Sequence, residues 1–178
     1  IHAALADLLT YARVTGNMPT SEQLDVTVAF HIGLYQDEVR ARGIAYDENP
    51  EHLIKEQSAL IEGLVRGWVK VRMPAILNEY EVVSVEEEMS WEMAPGLTQM
   101  LRLDGLLRHK VTNLLFILEL KSVASPGYQW QQGWEKNIQF MSYTQAVREI
   151  MGEECAGVVV EGLVKGIRRT ETAASSPF

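Results

Sequence analysis

Apolar residues recur at helical spacing through the first eighty positions and at strand spacing after them. Leu5, Leu8, Leu9 and Ala12 mark one face of a helix that ends near Gly16. Beyond Asn17, Met18 and Pro19, Thr20 or Ser21 can cap a second helix running to about Arg42, with Gly43 as its stop signal. A third helix opens near Asn49, where Pro50 suits the first helical position. It turns Leu53, Leu60, Ile61, Leu64 and Val65 inward and either continues past Pro74 or breaks before it. From Glu81 the period drops to two: Val83, Val85, Glu87, Met89 and Trp91 share one face, and Ser84, Glu86, Glu88, Ser90 and Glu92 the other, which predicts a strand. Pro95 and Gly96 turn the chain into a second strand, about Gln99 to Arg108, and residues 111–113 separate it from a third, Leu114 to Ser122. A loop holding Ser125, Pro126 and Gly127 leads into a helix from about Gly133 to Met151, after which Gly157 to Val164 reads as a buried strand.

Three strands in an antiparallel meander, a helix and a last strand predict an α/β fold with a mixed central sheet flanked by helices. The expected division is a helical N-terminal region over residues 1–80 packing on the core, a core over 81–167, and a tail over 168–178 that reads as disordered. At 178 residues, 47% apolar and 22% charged, the chain has the size of one domain and the composition of a soluble globule. No apolar run reaches the ~18 residues that span a bilayer, and no basic segment followed by an apolar one opens the chain, so the expectation is a cytoplasmic protein without a membrane partner. The chain starts at Ile1 rather than Met, as a piece trimmed from a longer protein would. Its single cysteine, Cys155, excludes a disulfide framework, a zinc site of several cysteines and a four-cysteine iron–sulfur cluster, so any metal must use oxygen or imidazole ligands. A net charge of −8 argues against coating nucleic acid through overall charge, while leaving room for a local basic patch. Composition does not fix the oligomeric state.

The third strand carries the first chemistry. Leu115, Ile117, Glu119 and Lys121 project to one face and Leu114, Phe116, Leu118 and Leu120 to the other, so a carboxylate and an ammonium stand side by side at the end of a very apolar strand. Each is costly to bury alone; the plain alternative is a surface ion pair at a strand end. Asp104, fifteen residues before Glu119 and on the face opposite Leu101, Leu103 and Leu107, is the obvious partner in a meander, or else a turn aspartate before Gly105. Two neighbouring carboxylates repel unless a divalent cation lies between them, and hard oxygen ligands suit Mg²⁺ or Mn²⁺. Lys121 could then orient or help deprotonate an attacking water, or stabilise a phosphorane-like transition state.

The order Asp104, then Glu119-Leu120-Lys121, then Gln139-Phe140-Met141-Ser142-Tyr143 resembles the PD-(D/E)xK nuclease superfamily, in particular its RecB-like and phage-type exonuclease branch, marked by an aspartate, an ExK and a QxxxY. The resemblance implies a restriction-endonuclease-like core and a metal-dependent DNA nuclease, by preference an exonuclease, that hydrolyses phosphodiester bonds. It implies Asp104, Glu119 and the Leu120 carbonyl as ligands of Mg²⁺ or Mn²⁺ and Lys121 as the catalytic lysine. Gln139 and Tyr143, four apart on one helix face, would reach the site and the nucleic-acid backbone; otherwise they are a polar pair on an amphipathic helix. His31, within Ala29-Phe30-His31-Ile32-Gly33, would be a further metal ligand in that branch, against the alternative of a satisfied core histidine. Leu103 replaces the proline that names the superfamily, and Leu101 stands where a glycine is often found. The missing cysteines exclude the iron–sulfur variety. Tyr128, Trp130 and Trp134 could stack on bases or pack under their loop, and Arg102, Arg108, Lys110, Lys136, Lys165, Arg168 and Arg169 could supply a positive groove. Glu87 is a charge on an apolar face without an evident reason. Two other function classes fit the same pattern: a DNA-binding module that keeps the fold without chemistry, and a site-specific restriction-type endonuclease.

Overall fold

The computed structural model describes residues 1–42, 50–124, 127–135 and 137–165. Helix α1 (His2–Thr15) closes on Gly16, whose φ of 70° suits a glycine and whose N–H donates to the Ala12 carbonyl at 2.8 Å. Helix α2 (Ser21–Arg42) opens on a reciprocal cap: Thr20 Oγ1 accepts the Gln23 N–H at 3.2 Å, and Gln23 Oε1 accepts the Thr20 N–H at 3.1 Å. The stop signal expected at Gly43 lies outside the described residues, as do Ser125, Pro126, Lys136, Arg168, Arg169 and the whole of the expected tail. Helix α3 (Pro50–Val71) breaks at Arg72, and α4 (Met73–Glu79) restarts with Pro74 in its first turn, where a missing N–H leaves no bond unmade.

Four strands follow: β1 (Tyr80–Ala94), β2 (Leu97–His109), β3 (Leu115–Val123) and β4 (Cys155–Val164). They lie side by side in chain order, antiparallel from β1 to β3 and parallel between β3 and β4, a mixed sheet as the pattern predicts. The single helix expected from Gly133 to Met151 is instead two, α5 (Tyr128–Glu135) and α6 (Ile138–Met151). Asn137 explains the break: it is extended, and its Oδ1 accepts the Phe140 N–H at 3.3 Å, so it caps a new helix.

Apolar side chains close both faces of the sheet. On one, Leu5, Leu8, Leu9, Val65, Trp68 and Met73 of the helical region pack on Leu107, Leu118, Leu120 and Leu163. On the other, Ala146 and Val147 of α6 pack on Leu103, Leu106, Leu115 and Ile117. Strand β3 alternates between the two layers as expected. Strands β1 and β2 do not. Val82 and Val85 face the helical layer while Val83, Met89 and Trp91 face the other, and Leu103 and Leu106, three apart, share one cluster with Leu101 while Leu107 joins the opposite one. Both the single apolar face expected from Val83 to Trp91 and the expected opposition of Asp104 to Leu101, Leu103 and Leu107 therefore need correcting. The cause is local: the ladder slips between Val82 and Ser84, and Glu86 takes a left-handed φ of 52°, which re-aims the residues beyond it. Among the described residues no helix is long and apolar enough to cross a membrane.

Candidate functional site

Strands β2 and β3 share four rungs, from Arg108–Leu115 to Gly105–Leu118, and then part. Past that point β2 stays with β1 and β3 stays with β4. The last shared rung is a tight one: a Cβ on Gly105 would lie 3.3 Å from the Leu118 Cβ, so the absent side chain lets the strands close there. The next rung would set Asp104 against Glu119. At this fork Asp104 Oδ2 accepts the N–H of Leu120 at 2.7 Å, tying the first carboxylate to the strand that carries the second. Glu119 is 4% exposed and its Oε1 is ion-paired with the Lys121 ammonium. Since Leu118 and Leu120 pack into the helical layer, Glu119 and Lys121 project to the α6 side.

Helix α6 brings the third motif to the same end. The Leu115 N–H donates to Glu154 O at 3.0 Å, so α6 finishes near the start of β3. Running back about 20 Å, it begins near the end of β3, where Lys121 lies. Gln139 is exposed in the first turn of α6; Tyr143, one turn on, is half-buried against the cluster of Met89, Leu101 and Leu103. Between them Ser142 Oγ accepts from Gln99 Nε2 at 3.1 Å, which fastens the β1–β2 arm to this helix.

His31 is placed elsewhere. Its Nε2 lies 2.7 Å from Asp7 Oδ2, pairing α2 with α1 in the helical layer, and the structure does not bring it to Asp104 and Glu119. Among the described residues no three His, Cys, Asp or Glu side chains gather in a group that could hold a metal ion. Glu87 stands across from Leu103 in the β1–β2 ladder and is half-buried.

Five expected nucleic-acid contacts are also otherwise engaged. Trp130 and Trp134 lie on α5, meet edge to face at 5.3 Å, and Trp134 stacks on Phe140 at 5.2 Å and 21°, so the bland alternative of packing holds for them. Arg102 pairs with Glu86 at 2.6 Å, Arg108 with Glu153 at 2.5 Å, and Lys110 Nζ donates to the Leu77 carbonyl at 2.6 Å. The hydrogen bond to Glu153 holds the Arg108 guanidinium above its ordinary pKa and the Glu153 carboxyl below its own.

Sequence reasoning missed Glu161. It is 4% exposed, sits across from Leu120 on the helical side of β4, and takes a two-pronged ion pair from Arg72 at 2.9 and 2.7 Å. That hydrogen bonding raises the Arg72 pKa above its ordinary value. The available signal was a lone charge inside the apolar run from Val158 to Val164. No protein-family model and no curated protein sequence matches the chain.

Proposed function

We propose that the protein is a divalent-metal-dependent deoxyribonuclease of the PD-(D/E)xK type, with the restriction-endonuclease-like core such enzymes share, acting by preference as an exonuclease. The observation that carries this is the fork, where β2 and β3 part just past the Gly105–Leu118 rung and Asp104 accepts the Leu120 N–H between Glu119 and Lys121. The carboxylates of Asp104 and Glu119, with the Leu120 carbonyl between Glu119 and Lys121, are a hard oxygen set that fits Mg²⁺ or Mn²⁺. Such an ion, when bound, supplies polarisation of a phosphate and a lowered pKa for water. His31 stays outside this set because Asp7 holds it.

The remaining roles belong to the chain itself. Lys121 has no lone pair while protonated, so it is no ligand; it offsets the buried Glu119 charge and stands ready to stabilise charge on the phosphoryl oxygens as water attacks in line. Gln139 and Tyr143 offer amide and phenol donors to the backbone of the strand being cut. The test is incubation of end-labelled linear and covalently closed circular DNA with Mn²⁺, Mg²⁺ or chelator, run beside Lys121→Ala. Degradation of linear DNA alone, only with metal and lost in Lys121→Ala, is the expected result. Cutting of both forms would indicate an endonuclease. No cutting of either would leave a binding module and overturn the proposal.

A further inference from the structure

The rung that carries Lys121 on β3 carries Gly162 on β4. Paired residues on neighbouring strands lie about 4.8 Å apart with their side chains on one face, so whatever covers Gly162 stands beside the lysine. Trp130 covers it. A Cβ on Gly162 would lie 3.1 Å from the indole Cη2 and 3.4 Å from Cζ2, and the obstacle is a ring rather than the end of a flexible chain. Gly162 is not among the glycines with positive φ, so its backbone does not call for a glycine; its missing side chain provides room.

The indole is held in place. Trp134 meets it edge to face at 5.3 Å and stacks in turn on Phe140 of α6, while the backbone N–H of Trp130 donates to Gly127 O at 3.0 Å and fixes the start of α5. Of the ion pair beside it, Glu119 is sealed, with its side chain 5% exposed, while the Lys121 side chain is 35% exposed and carries its charge on a long flexible stem. We infer that Trp130 is a positioning residue for Lys121: it forms the β4-side wall that keeps the ammonium on Glu119 and at the fork, and Gly162 is the residue whose bareness lets that wall close. Its catalytic consequence rests on the nuclease proposal above; its geometry does not.

Two measurements on the full chain test this. Trace acylation with acetic anhydride, read at Lys121 relative to Lys55 by mass spectrometry, reports the wall without any activity. Trp130→Ala and Gly162→Ala should each raise labelling of Lys121 several-fold, Trp130→Phe should not, and Gly162→Ala should add nothing in the Trp130→Ala background. In cleavage of linear DNA the two alanine variants should lower kcat about ten-fold with KM little changed, and Trp130→Phe should keep most of the rate. Melting curves identify any variant that does not fold; if Trp130→Ala is one, Gly162→Ala beside Trp130→Phe carries the test. Unchanged labelling in Gly162→Ala, additive effects in the double variant, or raised labelling with an unchanged kcat would each overturn the inference. A parent protein that cuts no DNA would instead remove the nuclease proposal, and the labelling would still decide whether the wall exists.

Discussion

Cys155 opens β4 wholly buried, its thiol against the Gly157 carbonyl at 3.8 Å, and burial pushes that thiol above its ordinary pKa. Little thiolate forms at neutral pH, so a colorimetric disulfide reagent should leave the native chain untouched over the time in which it fully titrates the chain in guanidinium; rapid native reaction would mean that β4 opens. His31 invites a second measurement. If the nuclease proposal holds, then with its ring on Asp7 His31→Ala should change DNA cleavage by the same factor in Mg²⁺ and in Mn²⁺, and a loss confined to Mg²⁺ would make the histidine a ligand of the proposed cation. These residues also show what can be read without coordinates. Glu119 and Lys121 were legible because β3 alternates strictly and two charges stand out against it. The partner of His31 was not legible, because Asp7 is set by the way α1 crosses α2, and no spacing along either helix encodes a crossing.

At the scale of elements, caps are local, and the helix ends at Gly16 and Thr20 were readable, whereas the break before Pro74 was left open and the Asn137 cap that divides α5 from α6 was missed. The arm of β1 and β2 was the least readable, because a slipped rung and one left-handed residue exchange inside for outside without disturbing the alternation of letters. The junction of α3 and α4 is fastened to β4 by Arg72 and Glu161, a pair between one sealed and one half-exposed side chain. Arg72→Met should therefore destabilise the fold by about 1 to 3 kcal/mol, less than the loss of a fully buried partner, because solvent already screens the guanidinium. Replacing Glu161 with Met as well should recover most of that. Urea unfolding of the two variants checks it, and equal losses in both would mean that packing, not the stranded carboxylate, sets the cost.

For the molecule as a whole the net charge is −8, and among the described residues the engagement of Arg102, Arg108 and Lys110 leaves fewer cations for phosphates. On the nuclease proposal, DNA binding should accordingly weaken with salt at a slope of only about −2 to −3 in logarithmic units, as for two or three phosphate contacts, when followed by fluorescence anisotropy between low and moderate salt. A slope of about −6 would show that the ion pairs open to receive the strand. The fork bears on durability as well. Two plates, β1–β2 and β3–β4, meet along a seam of four rungs, and each plate holds one of the two carboxylates. A seam that short should yield before either plate does. Residual cleavage after heating should then fall at a lower temperature than far-ultraviolet ellipticity, with the two curves coinciding only if the seam is as strong as the plates. Inactivation and unfolding would be separate events on the temperature axis.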